Sequence, residues 1–366
     1  MSEQTAARDH LWGDETRRSQ VKKAPHMRLF LLLCLAALSI PATAAELTRV
    51  KMGVVGASAD VVFWAAFERG YFREEGVDLE IVKFDSAART IAPLGSGELQ
   101  ISAGGVSAGF FNAVARGIDI KIVADKTQTI PGLGTQSLLV RKDHLESGRF
   151  KSIADLRGMK VASPAPGSAS TTILTKMLAK GGLTTKDIEM VSLAVPQMTT
   201  AFANKALDAA VPLEPGVSLA TQTGYAQRVM EDYDVYPEHQ IAVLFYSGKF
   251  IRDNRKAGVG FLRAYLRSVR EFNEALEYGR FAGPKAEPFI EILTRRGPSQ
   301  DPAFYRSFTL GFSHPDGKLH LPSLSEDLAI FRDEGLIEGE VTVAKSVDSS
   351  LIDEALRQVG LYRSAK

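Results

Sequence analysis

The feature that most constrains the fold is a unit that recurs along the chain: a short apolar strand, a glycine-bearing turn and then a helix. The unit recurs over 50–124 and again over 138–211. Strands that alternate with helices in this way are typical of a doubly wound sheet, in which helices cover both faces. We therefore expect an α/β fold built from parallel, doubly wound sheets.

The break between the two sets of units predicts a division into two lobes. Strand-like segments near 138–141 and 243–247 would carry the chain across and back. Lobe 1 would then consist of 46–137 together with 243–366, the second part ending in a helical extension, and lobe 2 of 138–242. Ligands of open α/β sheets bind at the carboxyl ends of strands, beside helix N-termini. Two such ends would face each other across a ligand cleft, with a hinge in the crossing segments.

The segment 27–45 has the pattern of a secretory signal peptide. Residues 29–40 are apolar apart from one serine, and this run is too short to span a bilayer. Arg28 precedes the run and small residues follow it, which predicts cleavage near Ala44 or Ala45. We expect an exported protein of the periplasm.

The polar extension at 1–26 is unusual ahead of such a signal, and two interpretations remain open. In the first, Met27 is the true start and the extension is not translated. In the second, Arg17 and Arg18 belong to a twin-arginine export signal. The second is weakened by Gln20, because a large apolar residue is expected at that position.

Charge and cysteine content exclude several classes of function. The full chain has 44 Lys and Arg against 43 Asp and Glu, and cleavage after Ala45 leaves 38 against 39. A balance this close to zero lacks the electrostatic basis for nucleic-acid binding. The single cysteine, Cys34, is removed with the signal peptide, which excludes a disulfide, a thiolate zinc site and a cysteine nucleophile. We also find no Walker loop, no G-x-G-x-x-G and no H-E-x-x-H, and expect no cofactor.

A hydroxyl-rich run that begins at Gly167 opens a helix directly after a strand. The N–H groups of a first helical turn, together with the hydroxyls from Ser168 to Thr172, would form an anion site. The alternative is ordinary N-capping by Ser168 or Ser170.

Two further side chains are candidates for the wall of the cleft. Glu214 ends a strand just before Pro215, a residue that suits the first position of a helix. At the cleft mouth Glu214 would accept hydrogen bonds or pair with a cationic ligand group; alternatively, it complements the helix dipole. Trp64, beside Phe63 in the first helix, would form an aromatic wall or else belong to the core.

The run 105–109, Gly-Val-Ser-Ala-Gly, matches the G-x-S-x-G pattern of a hydrolase nucleophile elbow. With His314 or His320 as the base, Ser107 would be the nucleophile of a serine hydrolase. However, only about two strands precede the run, and no His-Gly-Gly oxyanion sequence lies upstream. A glycine-rich turn of this kind also suits a loop that binds a ligand through its amides, so the hydrolase is kept as an alternative.

The segment 314–320 holds His314, Asp316 and His320, which are residue types that ligate zinc or manganese. Its Pro-Asp-Gly sequence is equally a turn signal, and such residues in a turn are usually solvated. We expect a turn here rather than a metal site.

The run 70–79, Gly-Tyr-Phe-Arg-Glu-Glu-Gly-Val-Asp-Leu, resembles a signature of periplasmic binding proteins for nitrate, sulfonates, taurine and thiamine-pyrimidine precursors. These proteins are the solute receptors of ABC importers and have the type II periplasmic-binding fold. Further segments are similar to the family and extend the resemblance over 48–247; they are 97–101, 107–108, 115–117, 140–143, 153–161, 167–168 and 214–215.

The resemblance implies a ligand held between the lobes. The residues implied to contact it are Ser58, Asp60, Trp64, Gly105, Val106, Ser107, Gly167, Ser168, Ala169, Ser170 and Glu214. In this family, hydroxyls and helix-start amides suit sulfonate or nitrate, whereas an acidic partner such as Glu214 suits taurine or an aminopyrimidine. The implied partners are a small-molecule solute and an ABC permease with its ATPase. The protein would be a monomer without nucleic acid and without stable insertion in the membrane.

We therefore expect an exported solute-binding protein that captures a small polar or anionic organic solute by hinge closure, with no catalytic step. Two other classes remain open. One is an enzyme, either the hydrolase at Ser107 or a pyrimidine-forming synthase, a relative of this fold with a cysteine-rich motif that the mature chain lacks. The other is a sensor domain that is not linked to transport.

Overall fold

The computed structural model describes residues 46–363. The polar extension at 1–26, the predicted signal peptide at 27–45 and Cys34 lie outside the described residues. Within the described range, no helix combines the length and the apolar character that crossing a membrane requires.

Ten of the strands in this range belong to two five-stranded sheets, and two more form a short hairpin. In chain order the strands are β1 (Thr48–Val54), β2 (Val77–Lys83), β3 (Ile101–Gly105), β4 (Ile120–Thr127), β5 (Ser137–Arg141), β6 (Lys160–Ser163), β7 (Glu189–Ser192), β8 (Ala209–Ala210), β9 (Ala226–Glu231), β10 (Ala242–Ser247), β11 (Leu276–Glu277) and β12 (Arg280–Phe281).

Helices fill most of the connections between the strands and make up nearly all of the C-terminal third. In chain order they are α1 (Val61–Glu68), α2 (Tyr71–Glu74), α3 (Ile91–Ser96), α4 (Ala108–Ala115), α5 (Lys142–Glu146), α6 (Ala169–Ala179), α7 (Val195–Ala203), α8 (Gly216–Gln222), α9 (Gly248–Asp253), α10 (Arg255–Glu274), α11 (Glu287–Arg296), α12 (Pro302–Arg306), α13 (Leu321–Asp333), α14 (Val343–Ser346) and α15 (Ser350–Val359). Short 3₁₀ turns lie at Ser58–Asp60, Ala87–Thr90, Ile153–Leu156, Thr185–Asp187, Asp232–Asp234 and Pro284–Ala286.

Each five-stranded sheet is the centre of one lobe. The sheet of lobe 1 has the strand order β2-β1-β3-β10-β4, and the sheet of lobe 2 has the order β7-β6-β8-β5-β9. The chain passes from lobe 1 to lobe 2 over residues 128–136, between β4 and β5. It returns over residues 232–241, between β9 and β10.

The expectation of purely parallel sheets is wrong for one strand in each lobe. β10 runs antiparallel to both β3 and β4, and β5 runs antiparallel to both β8 and β9. The other pairs within the two five-stranded sheets, such as β1 with β2 and β6 with β7, are parallel. β5 and β10 are the strands that follow the two crossings. Because no helical crossover within the same sheet precedes them, the handedness of βαβ units does not fix their direction.

Apolar side chains cover both faces of each sheet, as the doubly wound expectation requires. Along β10, Val243 and Phe245 enter the cluster on one face of the lobe 1 sheet, while Leu244 and Tyr246 enter the cluster on the other. This alternation follows from the period of two in a strand. The lobe 2 sheet also has a separate buried cluster on each face.

The C-terminal helix α13 contacts both lobes. Its apolar residues Leu324 and Phe331 are buried in the lobe 1 cluster that also holds Phe111. On its polar side, Glu326 pairs with Lys176 of α6 in lobe 2 at 2.5 Å. The C-terminal region is therefore a structural part of the two-lobed body.

Candidate ligand-binding cleft

A cavity of about 390 Å³ lies between the two lobes. Lobe 1 contributes the carboxyl ends of four strands, at Val54 of β1, Lys83 of β2, Gly105 of β3 and Lys126 of β4. Lobe 2 contributes the N-terminus of α6 and the loop that ends at Glu214. The site thus forms where strand ends meet helix N-termini, as the α/β pattern predicts.

The two glycine-bearing turns singled out in the sequence meet each other at the edge of this cavity. Ala108 N donates a hydrogen bond of 2.8 Å to the carbonyl oxygen of Gly167, and Ser107 forms an isolated antiparallel bridge with Ser168. Gly167 has a φ of 56°, and a Cβ there would lie 2.8 Å from the Cβ of Ala108. Glycine therefore lets the two lobes approach each other through their backbones.

Eight of the eleven predicted residues line the cavity: Ser58, Trp64, Gly105, Ser107, Ser168, Ala169, Ser170 and Glu214. The other three do not. Asp60 is paired with Lys126, Val106 packs in an apolar cluster of lobe 1, and Gly167 accepts the hydrogen bond from Ala108. Whether any of the eleven contacts a ligand stays a prediction.

Lys126 is a buried charged residue of the cavity wall that the sequence analysis did not single out. Its Nζ lies 2.6 Å from Oδ1 of Asp60, and both side chains are only 2% exposed. The other carboxylate oxygen of Asp60 accepts hydrogen bonds from Gly56 N at 2.7 Å and Ala57 N at 3.0 Å. The turn before α1 therefore fixes Asp60, and Asp60 in turn fixes Lys126.

Two hydroxyls beside Lys126 have unused hydrogen-bonding capacity. Ser58 Oγ and Thr127 Oγ1 are buried and have no partner among the described residues, and both residues line the cavity with Lys126. Buried polar groups are nearly always hydrogen-bonded. Lys126, Ser58 and Thr127, which we call the polar floor, therefore form a set of donors that a polar ligand group would satisfy.

Glu214 lies in the lobe 2 wall, and it is buried instead of standing at the cleft mouth. Its Oε1 accepts hydrogen bonds from Arg228 at 2.6 Å and from Ser218 Oγ at 3.0 Å, and its Oε2 accepts one from Ser218 N at 3.0 Å. Burial raises the pKa of Glu214, and the positive charge of Arg228 opposes that rise. The helix begins at Gly216, one residue later than the Pro215 start predicted, and the Glu214–Pro215 peptide is cis.

The serines at the start of α6 have both capping and lining roles. Ser168 caps the helix in a reciprocal arrangement with Thr171, and Ser170 Oγ donates a hydrogen bond to Oε1 of Gln136. Because Gln136 also lines the cavity, this pair joins the crossing segment 128–136 to the wall of lobe 2.

At the mouth of the cavity, Trp64 stacks with a cation. The guanidinium of Arg296 lies 4.0 Å from the centre of the Trp64 ring. Arg296 also donates hydrogen bonds of 3.1 and 3.0 Å to Glu68 on α1. Most of the remaining wall is apolar, and it includes Phe84, Val195, Leu213, Leu219, Ile241 and Leu310.

The G-x-S-x-G run has a structural explanation at Ser107. Ser107 is 2% exposed, and its Oγ accepts a hydrogen bond of 3.2 Å from Phe110 N as the N-cap of α4. No histidine in the described range forms a hydrogen bond with it. The geometry needed for a serine–histidine pair is therefore absent from the described residues.

The segment 314–320 forms a turn and donates hydrogen bonds to residues at or near the crossings between the lobes. Gly317 N donates to the carbonyl of His314 at 2.8 Å, as in a turn, and His314 N donates to Oδ2 of Asp125. His320 N donates to Oε1 of Gln240, which also accepts from Gln128 of the other crossing. Among the described residues, no three His, Cys, Asp or Glu side chains are grouped as a metal site would require.

Two α/β lobes, joined by two crossings and closed over a cavity between their strand ends, define the class as a periplasmic-binding-protein fold. The sequence model described as the NMT1-like family matches residues 43–277, which is more than half of the chain. The chain belongs to this family.

Solved structures with the same fold include two named binding proteins. The periplasmic nitrate-binding protein NrtA from Synechocystis PCC 6803 is 16% identical with a TM-score of 0.71, and the match covers 87% of this chain and 90% of that one. The alkanesulfonate-binding protein SsuA from Xanthomonas axonopodis pv. citri, bound to MOPS, is 19% identical with a TM-score of 0.65; coverage is 83% and 99%. At these identities the likeness establishes the fold alone.

The fold is shared with an enzyme as well, since the desulfurization enzyme DSZB matches with a TM-score of 0.60 at 14% identity, over 85% of this chain and 100% of that one.

Among curated proteins, a provisionally named binding protein of Brucella abortus is 28% identical over 188 residues, or 50% of this chain. The chain spans about half the length of the curated relatives it matches.

Proposed function

We propose that this protein is the extracytoplasmic solute-binding component of an ABC importer. Its cleft would capture a small organic anion with an apolar body and close around it. The single observation that carries this proposal is the polar floor: a buried ammonium and two unsatisfied hydroxyls at one end of an otherwise mostly apolar cavity.

Among the buried side chains that line the cavity, donors outnumber free acceptors. Lys126 Nζ has three N–H groups, and within the described range its one ionic partner is Asp60. Glu214 has both oxygens engaged by Arg228 and Ser218. A ligand that brings acceptor oxygens would therefore be favoured over one that brings an amine. This balance supports a sulfonate or carboxylate and disfavours taurine or an aminopyrimidine, which would need a free acidic partner.

The size and lining of the cavity support an organic body on the ligand. A volume of about 390 Å³ lies within the range of small-molecule sites, which extends from about 300 to 1,000 Å³. Nitrate would fill only a small part of it. Apolar side chains such as Phe84, Val195 and Leu219 would instead contact an aliphatic or aromatic group of the ligand.

Binding would be coupled to closure of the two lobes. The polar floor belongs to lobe 1, whereas the N-terminus of α6 belongs to lobe 2, so a ligand that contacts both favours the closed arrangement. A ligand can shift the equilibrium only by its difference in affinity for the two arrangements. Delivery to a permease with its ATPase, export to the periplasm and a monomeric state belong to the same proposal, which the nitrate-binding and sulfonate-binding neighbours support.

An enzyme on this fold is the second candidate, because one neighbour is a desulfurization enzyme. Ser107 Oγ accepts the cap bond from Phe110 N, and no histidine among the described residues forms a hydrogen bond with it. Replacing Ser107 by Ala should weaken ligand affinity by less than about tenfold and leave a receptor functional. Loss of a measured turnover in that variant would favour the enzyme.

The test is ligand binding by the chain from Glu46 onward. Trp64 is its one tryptophan, since the other, Trp12, precedes Glu46, so its fluorescence would report occupation of the cleft. A panel of alkanesulfonates, aromatic and aliphatic carboxylates, nitrate, taurine and aminopyrimidines would be screened by thermal unfolding. A ligand at 100 times its Kd adds about 2.7 kcal/mol to the free energy of unfolding. We expect an anionic hit; stabilisation by amines alone would contradict the proposal.

A further inference from the structure

Two charged side chains, Lys126 and Glu214, are buried in the cavity wall, and each is paired with an opposite charge that does not line the cavity. Lys126 faces the cavity while Asp60, which does not line it, lies 2.6 Å from its ammonium. Glu214 lines the cavity, and Arg228 lies 2.6 Å from its carboxylate. Before any ligand enters, the buried wall therefore carries two positive and two negative charges.

The other charged side chains that line the cavity are exposed to solvent. Lys83 and Asp85 line its rim and are opposite in sign, and Arg296 at the mouth is paired with Glu68. Water and salt screen charges at such positions strongly. They therefore contribute little to the choice between ligands of different charge.

We propose that Asp60 sets the charge preference of the cleft: by offsetting Lys126 it leaves a balanced polar floor, which accepts a monovalent head and excludes a divalent one. This inference rests on the proposed function. Asp60 is a positioning residue, because it acts through Lys126 and does not contact the ligand.

The physical reason is the cost of burying unbalanced charge. A monovalent anion on the polar floor leaves one uncompensated negative charge, and hydrogen bonds from Lys126, Ser58 and Thr127 stabilise it. A divalent anion leaves two uncompensated negative charges, and the penalty for desolvation grows steeply with charge. Without the carboxylate of Asp60, the ammonium would compensate one charge of either ligand, and the discrimination would fall.

Two other titratable groups lie close to the pair. Asp125 precedes Lys126 on β4, and the charge of Lys126 opposes the rise that burial causes in the pKa of Asp125. Asp125 does not line the cavity, and its carboxylate accepts hydrogen bonds from Gln240 and from His314 N. Tyr265 on α10 lies close enough that Asp125 and Asp60 both raise the pKa of its hydroxyl, after the larger effect of burial. It remains neutral at physiological pH and adds no charge to the floor.

The experiment compares two esters that differ mainly in charge. Hexyl sulfate is monovalent throughout, whereas hexyl phosphate is divalent at pH 8 and monovalent at pH 5, because its second pKa is about 6. Wild-type protein should bind hexyl sulfate at least about tenfold more tightly than hexyl phosphate at pH 8 and lose most of that preference at pH 5. In Asp60→Asn the preference at pH 8 should become clearly smaller, because one charge of the divalent ester still lacks compensation.

Asp232→Asn is the matched control. Asp232 is also a buried carboxylate that accepts backbone hydrogen bonds, here from Thr135 N and Gln136 N. No lysine or arginine pairs with it in the described range. This variant should lose stability while keeping the wild-type ratio of the two esters. An unchanged ratio in Asp60→Asn, with hexyl sulfate still bound, would overturn the inference and leave the proposed function intact.

If neither ester binds, a measurement without ligand tests the inference. In Asp60→Asn the ammonium of Lys126 has no counter-charge, so burying it costs less once it is neutral. The free energy of unfolding should therefore rise from pH 7 to pH 10 relative to wild type. Asp60→Asn combined with Lys126→Met should abolish that rise. A profile parallel to wild type would overturn the inference. If no anion of the panel binds either, the proposed function fails as well.

Discussion

The two walls of the cleft contain the same kind of ion pair in opposite orientations. In lobe 1 the cation of Lys126 faces the cavity and the anion of Asp60 lies behind it; in lobe 2 the anion of Glu214 faces the cavity and the cation of Arg228 lies behind it. The lobe 1 pair is almost fully buried, with 2% exposure on each side, whereas Arg228 is 35% exposed.

The difference shows that an ion pair in a cavity wall is not in itself a binding group. Asp60 engages one face of the Lys126 ammonium and leaves other N–H groups for a ligand. The oxygens of Glu214 are instead occupied by Arg228 and by both the backbone and hydroxyl of Ser218. The lobe 1 pair therefore offers donors, while the lobe 2 pair is closed to further partners.

Removing the lobe 1 cation should have the largest effect. Lys126→Met leaves Asp60 buried without its partner, which should lower the free energy of unfolding by about 3–5 kcal/mol. It should also abolish stabilisation by anions in thermal unfolding. Lys121→Met is the control on the same strand, because Lys121 is only half-buried and its ammonium donates to the carbonyl oxygen of Lys345. Equal losses in the two variants would contradict the role given to Lys126.

A pH titration compares buried carboxylates of the two lobes. In lobe 1, burial raises the pKa of Asp125 to about 7. Because the folded state then binds this proton more tightly than the unfolded state, stability falls as pH rises from about 4 to about 7. Between pH 5 and pH 8 the group should cost about 3 kcal/mol. Chemical denaturation at the two pH values measures this, and Asp125→Asn should remove that part of the change.

In lobe 2, Asp208 should change the free energy of unfolding in the opposite direction as pH rises. Burial acts against ionisation, but hydrogen bonds from Lys160 N and His144, with the charge of Arg141, hold the pKa of Asp208 below its usual range. The stabilisation of the folded state by ionised Asp208 is therefore present above about pH 4 and lost in stronger acid. Burial raises the pKa of Asp232 to about 6. Asp232 should therefore add a smaller fall in the free energy of unfolding as pH rises, and this fall should persist in Asp125→Asn.

Neutralising the lobe 2 anion should cost less than removing the lobe 1 cation. In Glu214→Gln the guanidinium of Arg228 keeps access to water and lies 3.6 Å from Glu231. We expect a loss of about 1–2 kcal/mol in unfolding free energy and a change in anion affinity below about threefold, measured by Trp64 fluorescence. A loss of affinity comparable to that of Lys126→Met would show that the two walls act alike.

The smallest effect is expected at the mouth. Arg296→Gln removes the cation that stacks on Trp64 and the bonds to Glu68. Contacts of this kind at exposed sites contribute about 0.5–1 kcal/mol. The emission of Trp64 should change, while the preference for anions should not. A loss of that preference would place the charge selection at the rim instead of at the polar floor.

The lobes and most of the cavity-lining turns could be predicted, because strand, glycine turn and helix are local patterns. The partners of the charged residues could not. The units predicted over 50–124 and 138–211 end before Lys126 and before β9 (Ala226–Glu231), which carries Arg228, so neither residue is assigned to the site from the sequence. Glu214 was therefore expected at an open mouth. The directions of β5 and β10 depend on crossings between lobes, which have no local signature.

The insertion of β10 between β3 and β4 has a consequence for how the chain reaches its native state. β3 and β4 follow each other along the sequence but do not pair; each bonds to β10, which is made only after the whole of lobe 2. Until then both strands have an open edge, which is a liability for misassociation. Lobe 2 has no such dependence, since its five strands lie in one continuous stretch. A chain that emerges N-terminus first can therefore complete its second lobe while its first still lacks an interior strand.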